Sequence, residues 1–374
     1  MIKVDILSPV GGLHGGIENV IRCWVSKLPD KGFDIRVIHM TPGRAYLQGF
    51  PKIYSFPGPE KPGDKEYYAE KYLEFIKGSY APDICVAINW PLMTYVASEV
   101  RAKANGNFKI VSFVHNKISE YNKAGFGGLS HMLLADGHIS INNQIKNEIL
   151  STDKAARVYV VGNPVDLPED TRGNRINDNS VGLPKDNTLG NINEEYALFD
   201  KKTLCYVGRI EDIKRLDIIL EALYRAKDDW KLKIVGTGAF TDEMMEIIDY
   251  LKLNDRVTVY GWQEKPWEKV TDACISVMAS DYEGFGMTNV EALIRGKTVI
   301  STPVDGVVDY IVPGVNGFLF DYEDAIGLAK ILDYLSYGEL SMPKMSDCRA
   351  SVERFITGNY IENVSKALKD IYNN

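Results

Sequence analysis

Apolar strand-like runs and amphipathic helical segments alternate along this chain in two separate rounds, with a polar tract between them. In the first round, residues 3–7, 33–38, 84–88, 110–114, 135–140 and 158–161 read as strands. The segment after the first strand carries Val20, Ile21, Trp24, Val25 and Leu28 on one helical face. In the second round, residues 203–207, 231–235, 256–260, 273–278, 298–301 and 317–320 read as strands, and 216–227 as a helix. Apolar strands separated by helices form parallel sheets covered on both faces. At 374 residues the chain is too long for one ordinary core and suits two domains of about 150–200 residues. The expected division is an α/β domain over 1–165, a polar linker or surface loop over 166–200, and a second α/β domain over 201–350. A C-terminal helix within 351–374 completes it, and Gly162-Asn163-Pro164-Val165-Asp166 is the expected hinge.

Composition excludes several classes. No apolar run approaches the roughly 20 residues that cross a bilayer. The opening residues, Met1 to Leu7, alternate like a strand rather than a secretory leader. Five scattered cysteines, Cys23, Cys85, Cys205, Cys274 and Cys348, mostly in apolar surroundings, read as buried thiols rather than disulfides or a metal site. A cytoplasmic location is expected from this. Residues 1–165 hold 19 Lys and Arg against 15 Asp and Glu, and the remainder holds 24 against 36. The acidic second half argues against a nucleic-acid binder. The mildly basic first half is compatible with an anionic acceptor or with peripheral contact at a membrane surface.

Chemistry concentrates at two strand ends in the second half. After the strand 273–278 comes Asp281-Tyr282-Glu283-Gly284-Phe285-Gly286-Met287-Thr288-Asn289-Val290-Glu291. A helix is expected over 287–295, stopped by Gly296. Gly286 permits close backbone approach, and the helix mouth at Met287 and Thr288 offers free N–H groups and a partial positive charge. Glu283 falls in the loop. Glu291 lies just over one turn into the helix, where side chains lean back toward the N-terminus. Such a mouth suits an anion flanked by hydroxyls, as in a nucleotide diphosphate with ribose on one side and a sugar on the other. At the other strand end stands Gly208-Arg209-Ile210-Glu211-Asp212-Ile213-Lys214-Arg215. Arg209 is expected at the strand's C-terminal end and Lys214 at the start of the next helix. A guanidinium fork and an ammonium fit the two phosphates of one diphosphate.

Glu283 and Glu291, spaced around Gly-Phe-Gly after a buried strand, resemble the donor site of the retaining glycosyltransferases of family 4. The resemblance implies the GT-B fold, two Rossmann-like domains facing across a cleft, with the last helix crossing back to the first domain. It implies that Glu283 binds hydroxyls of the transferred sugar and Glu291 the nucleotide ribose. Arg209 and Lys214 match the family's phosphate-binding positions, and Arg215 departs from the family by replacing a glycine. Gly236, within Val235-Gly236-Thr237-Gly238, resembles the family's second donor-side glycine turn. Trp262, in Tyr260-Gly261-Trp262-Gln263, resembles the segment lining the nucleotide base, and weakly suggests a uridine donor. In the first domain, Gly15-Gly16-Ile17-Glu18 resembles the family's first loop and puts Gly16 against the donor. His115, at a strand end, resembles the family's histidine near the reacting carbon. His14, Asn89 and Trp90 are acceptor-side candidates.

No strict Asp-x-Asp occurs in the chain. No metal or other cofactor is therefore expected, and Arg209, Lys214 and the helix mouth after Gly286 are left to stabilise the departing diphosphate. The glycine order Gly11-Gly12-Leu13-His14-Gly15-Gly16 does not follow the Gly-x-Gly-x-x-Gly of dinucleotide enzymes, and strand 33–38 runs into His39-Met40 rather than an acid. The expected function is retaining transfer of a sugar from a nucleotide-diphosphate donor to a hydroxyl of a carbohydrate, lipid-linked or protein-linked glycan. A sugar-nucleotide epimerase and a non-catalytic sugar-nucleotide-binding protein are the alternatives.

Overall fold

A computed structural model describes residues 1–9, 16–42, 47–168 and 200–374. It divides into two units, Met1–Pro164 with Phe355–Asn374, and Val165–Arg354. The expected linker 166–200 lies almost wholly outside the described residues.

The first unit is built on a parallel sheet of order β3-β2-β1-β4-β5-β6-β7. Its strands are β1 (Ile2–Ser8), β2 (Phe33–His39), β3 (Ile53–Ser55), β4 (Ile84–Ile88), β5 (Lys109–Val114), β6 (Gly137–Ser140) and β7 (Val158–Val160). Val4, Ile6 and Leu7 of β1 are fully buried, as a central strand covered on both faces requires. Asp5, also in β1, is buried but paired: Arg36 donates to it through Nε at 2.6 Å and Nη2 at 2.8 Å, and the Tyr72 hydroxyl donates at 2.9 Å. This carboxylate is thus absorbed by the core. The helix Thr357–Asn373 belongs to this unit. It buries Tyr360, Ile361, Val364, Leu368 and Ile371, and Trp24 Nε1 donates to the Tyr360 hydroxyl at 3.0 Å. The Trp24 ring stacks in turn on Phe113, centroids 5.4 Å apart.

The second unit carries a parallel sheet of order β10-β9-β8-β11-β12-β13. Its strands are β8 (Asp200–Val207), β9 (Lys231–Val235), β10 (Val257–Val259), β11 (Ala273–Met278), β12 (Thr298–Ser301) and β13 (Gly317–Leu319). All six residues of β11 are buried. One core cluster joins Leu204, Ile219, Leu223, Trp230, Ile234 and Leu328 across strands and covering helices.

Each sheet has one switch point, where successive connections leave in opposite directions: between β1 and β4 in the first, and between β8 and β11 in the second. Ligands bind open α/β sheets outside the carboxyl ends of the strands at such points. The Arg209 loop follows β8 and the Glu283 loop follows β11. Among the described residues no helix is long and apolar enough to cross a membrane. Cys85, Cys205, Cys274 and Cys348 are buried thiols, and none of the five cysteines is in a disulfide.

Candidate active site

At the end of β8 the chain turns through Gly208 and Arg209 into a short 3-10 turn, Asp212–Lys214. Lys214 thus closes that turn and does not open the next helix, which begins at Leu216. The intervening residue is Arg215, whose φ of 49° is left-handed, a conformation that costs a non-glycine residue about 1–2 kcal/mol. Its guanidinium is held by Asp217 at 2.9 Å, Glu323 at 2.9 Å and Asp281 at 3.4 Å. The position where the resemblance leads one to expect glycine therefore keeps a glycine-like backbone, with ion pairs to the loops after β11 and β13. Asp281 N–H also donates to the Ile213 carbonyl at 3.0 Å, which sews the β8 and β11 loops together.

The consequence is that Lys214 Nζ and Glu283 Oε1, 69 residues apart, form a part-buried ion pair. Arg209 behaves differently: its guanidinium is exposed and bonded to Glu211 at 2.6 Å. Gly208 and Gly236 lie back to back at the ends of β8 and β9. A Cβ on Gly236 would come within 1.8 Å of the Gly208 carbonyl oxygen, so packing between neighbouring strand ends accounts for this glycine.

Past Glu283, Gly286 adopts φ 75° and caps the helix Met287–Ile294. Its conformation turns the chain from loop into helix, with Met287 and Thr288 forming the first turn. Three residues to which the sequence assigns no part in the site shape this region. Tyr310 donates its hydroxyl to the Phe285 and Gly286 carbonyls. Trp267, on the 3-10 turn Pro266–Val270, donates its indole N–H to Glu291 Oε2 at 2.8 Å. Arg295 lies over the Trp267 ring at 4.8 Å and donates to the Glu291 carbonyl at 2.7 Å. Burial raises the Glu291 carboxyl above its ordinary range, while Trp267 and Arg295 pull it down. The Trp267 turn is itself pinned by buried Lys297, whose ammonium donates to the carbonyls of Val270, Thr271 and Ala273. No local pattern distinguishes these three from ordinary core and surface residues. Trp262 is 72% exposed, so its indole is not core.

In the first unit, Gly16 opens the helix Gly16–Lys27, with open space where a Cβ would project. His14 lies outside the described residues. Asn89, after β4, holds φ 74° and accepts from the Tyr121 hydroxyl at 2.6 Å. Trp90 is buried and stacks on Phe126, centroids 3.8 Å apart. His115 follows β5 against the Phe113 ring. Its Nε2 is buried with no hydrogen-bond partner among the described residues, and burial pushes the imidazole down to about 3. An orphaned buried nitrogen requires an explanation, and a ligand is one. Among the described residues no group of three or more His, Cys, Asp or Glu could hold a metal ion.

Similarity to known proteins gives these two open parallel sheets, and the paired lysine and glutamate beside the helix mouth, a class. The chain is a glycosyltransferase of the GT-B fold. The protein-family models that match it are Glycosyltransferase Family 4 over residues 14–169 and Glycosyl transferases group 1 over residues 191–355. It is 29% identical over 383 aligned positions to the lipopolysaccharide 1,6-galactosyltransferase of Escherichia coli K12, covering 98% of both chains. The enzyme of the same name from Salmonella typhimurium is 28% identical, with 97% and 96% covered. Among solved structures, the apo form of the lipopolysaccharide outer core galactosyltransferase WaaB superposes with a TM-score of 0.82 at 24% identity, over 99% of each chain. Anabaena HepE in complex with UDP superposes with a TM-score of 0.74 at 18% identity, over 99% of this chain and all of that one.

Proposed function

We propose that this enzyme is a retaining, family 4-type hexosyltransferase that moves a sugar from a UDP-sugar to a hydroxyl of a bacterial surface glycan. The observation that carries the donor site is the Lys214–Glu283 ion pair at the β8/β11 switch point, beside the Met287 helix mouth. A diphosphate arriving there competes for the Lys214 ammonium and releases the Glu283 carboxylate to accept sugar hydroxyls. Glu291, fixed by Trp267, accepts from the ribose. Arg209, on an exposed stem, swings from Glu211 to the phosphates. The uridine and surface-glycan assignments are supported by the UDP complex of HepE and by the names of the lipopolysaccharide galactosyltransferases. The acceptor is a carbohydrate or a lipid- or protein-linked glycan, and a peripheral encounter with the membrane through the mildly basic first 165 residues is compatible with it.

In the reaction, the bond between the anomeric carbon and the diphosphate oxygen breaks as the acceptor oxygen bonds to the same carbon. The acceptor proton passes to the departing phosphate on the same face, so no enzyme nucleophile is required. Lys214, Arg209 and the helix amides stabilise the charge that builds on the leaving group. His115, kept neutral by burial, offers its Nε2 to a sugar hydroxyl. No metal takes part in this scheme, so transfer should survive excess chelator. Loss under chelation with recovery on magnesium or manganese would remove the cationic leaving-group site.

A donor screen by thermal shift identifies the nucleotide, because binding stabilises by mass action. Glu283→Ala should keep nucleoside diphosphate affinity and lose sugar transfer. Turnover of donor with and without acceptor separates transfer from epimerisation and from binding alone. Loss of nucleoside diphosphate affinity in Glu283→Ala with full retention in Glu291→Ala would reverse the two assignments.

A further inference from the structure

We propose that Tyr310 is a positioning residue for the leaving group: its buried hydroxyl holds the Phe285 and Gly286 carbonyls on one side, which turns the Gly286 and Met287 amides toward the donor diphosphate. This rests on the donor-site reading above and deepens it. Tyr310 is 3% exposed. Its Oη lies 3.0 Å from the Phe285 carbonyl oxygen and 3.1 Å from that of Gly286. A hydroxyl has one hydrogen, so the two carbonyls share it.

In a trans peptide the C=O and the following N–H lie in one plane and point in opposite directions. Drawing the Phe285 carbonyl toward Tyr310 therefore drives the Gly286 N–H away from it. Drawing the Gly286 carbonyl the same way does the same to the Met287 N–H. The left-handed backbone at Gly286 places these successive amides side by side, the arrangement that makes an anion-binding concavity. Helix capping alone does not fix this. Within the helix the Gly286 carbonyl accepts from Asn289 and Val290, but the Phe285 peptide lies before the helix, and the Tyr310 hydroxyl bonds to both planes.

The scaffold behind the loop is built for close approach. Tyr310 follows the 3-10 turn Val307–Asp309, after β12. A Cβ on Gly306 would come within 2.4 Å of Phe285 Cα and 2.6 Å of the Gly284 carbonyl oxygen. Only glycine lets this segment lie on the back of the Gly-Phe-Gly loop. The Tyr310 and Phe285 rings pack with centroids 5.7 Å apart. Burial, with nearby Glu283 adding to it, pushes the phenol well above its ordinary range, so the donor proton stays in place at any physiological pH.

The test is calorimetric titration of wild type, Tyr310→Phe and Gly306→Ala. The probes are UDP, GDP and ADP, each with its matching nucleoside, alongside kcat and donor KM for sugar transfer. Tyr310→Phe keeps the ring packing and removes the hydroxyl, with its shared hydrogen bond to the two carbonyls and its hydrogen bond with the Asn289 side chain. It should lower affinity for the preferred nucleoside diphosphate about fivefold or more, on the scale of one such bond. Nucleoside affinity should stay unchanged, because Glu291 and Trp267 hold that end of the ligand. The kcat should fall with it, since the amides act most strongly as charge develops. Gly306→Ala should give the same diphosphate-selective loss. A merely structural tyrosine would lower nucleoside and diphosphate affinities together or neither, and either result overturns the proposal. Wild-type protein that binds none of the three diphosphates overturns the donor-site reading itself; wild-type binding matched by both variants overturns only the role of Tyr310.

Discussion

Glu291→Gln should weaken nucleotide binding and leave the fold as stable or more so. Glu291 accepts from Trp267 at 2.8 Å, and burial raises its carboxyl above the ordinary 4.5. The folded protein therefore holds this proton to a higher pH than the unfolded chain does. Stability falls as pH rises from the ordinary carboxyl value through the raised one, because ionisation is easier in the unfolded state. Glutamine keeps an oxygen for Trp267 and never ionises, so the penalty disappears at neutral pH. Binding moves the other way. A hydroxyl donating to a carboxylate is worth about 1 kcal/mol more than one donating to a neutral oxygen. Two ribose hydroxyls then account for about 2 kcal/mol, or about thirtyfold in Kd. The assays are calorimetric titration with UDP and with 2′-deoxy-UDP, and thermal unfolding at pH 4 and pH 7. The Tm of Glu291→Gln should equal or exceed wild type at pH 7, and that advantage should shrink at pH 4. The variant should bind UDP about as weakly as a protein that has lost its ribose contact, and distinguish poorly between UDP and its deoxy form. Unchanged UDP affinity would refute the ribose assignment. A Tm well below wild type at pH 7 would refute the claim that burial penalises this carboxylate.

Arg209→Ala should lower turnover by about 10²-fold or more, the scale of losing one charge-stabilising donor; near-normal transfer would leave its bond to Glu211 as its whole role. Arg36→Met should destabilise the fold by about 3–5 kcal/mol in urea titration, because it strands the buried Asp5 carboxylate. A loss below about 1 kcal/mol would mean that Asp5 is readily neutralised in place. For His115, held down to about 3 from an ordinary 6.5, the unfolded chain binds the proton first as pH falls. Its contribution is complete above about 6.5 and is lost progressively toward 3, so wild type should lose urea stability over this window more steeply than His115→Gln. Equal slopes would show that the imidazole protonates in the folded protein.

Much of the second unit was legible because its signals are local. β11 and the helix Met287–Ile294 lie where apolar runs and glycine punctuation put them. β3 has only three residues, none buried, and left no periodic trace. The helix Lys65–Gly78 gives little periodic signal, because it mixes its buried Tyr68, Tyr72 and Ile76 with charged neighbours. The stacking of Trp90 on Phe126 has no local signal, because the two residues lie 36 positions apart. Residue spacing puts Lys214 at a helix start, but a left-handed arginine separates its turn from the helix.

Two parallel α/β sheets, with a basic loop and an acidic loop at two strand ends, follow from local pattern alone. Periodicity, glycine position and residue type act over a few neighbouring residues and are written in the local string. Which of these groups meet depends on long-range packing. Sheet order puts β8 beside β11, and that adjacency joins Lys214 to Glu283 across 69 residues. It also brings Trp267 to Glu291 and Tyr310 behind Gly286. Such contacts depend on how distant elements pack, on burial that no single segment can reveal, and on a hydroxyl whose partners are carbonyls every residue has.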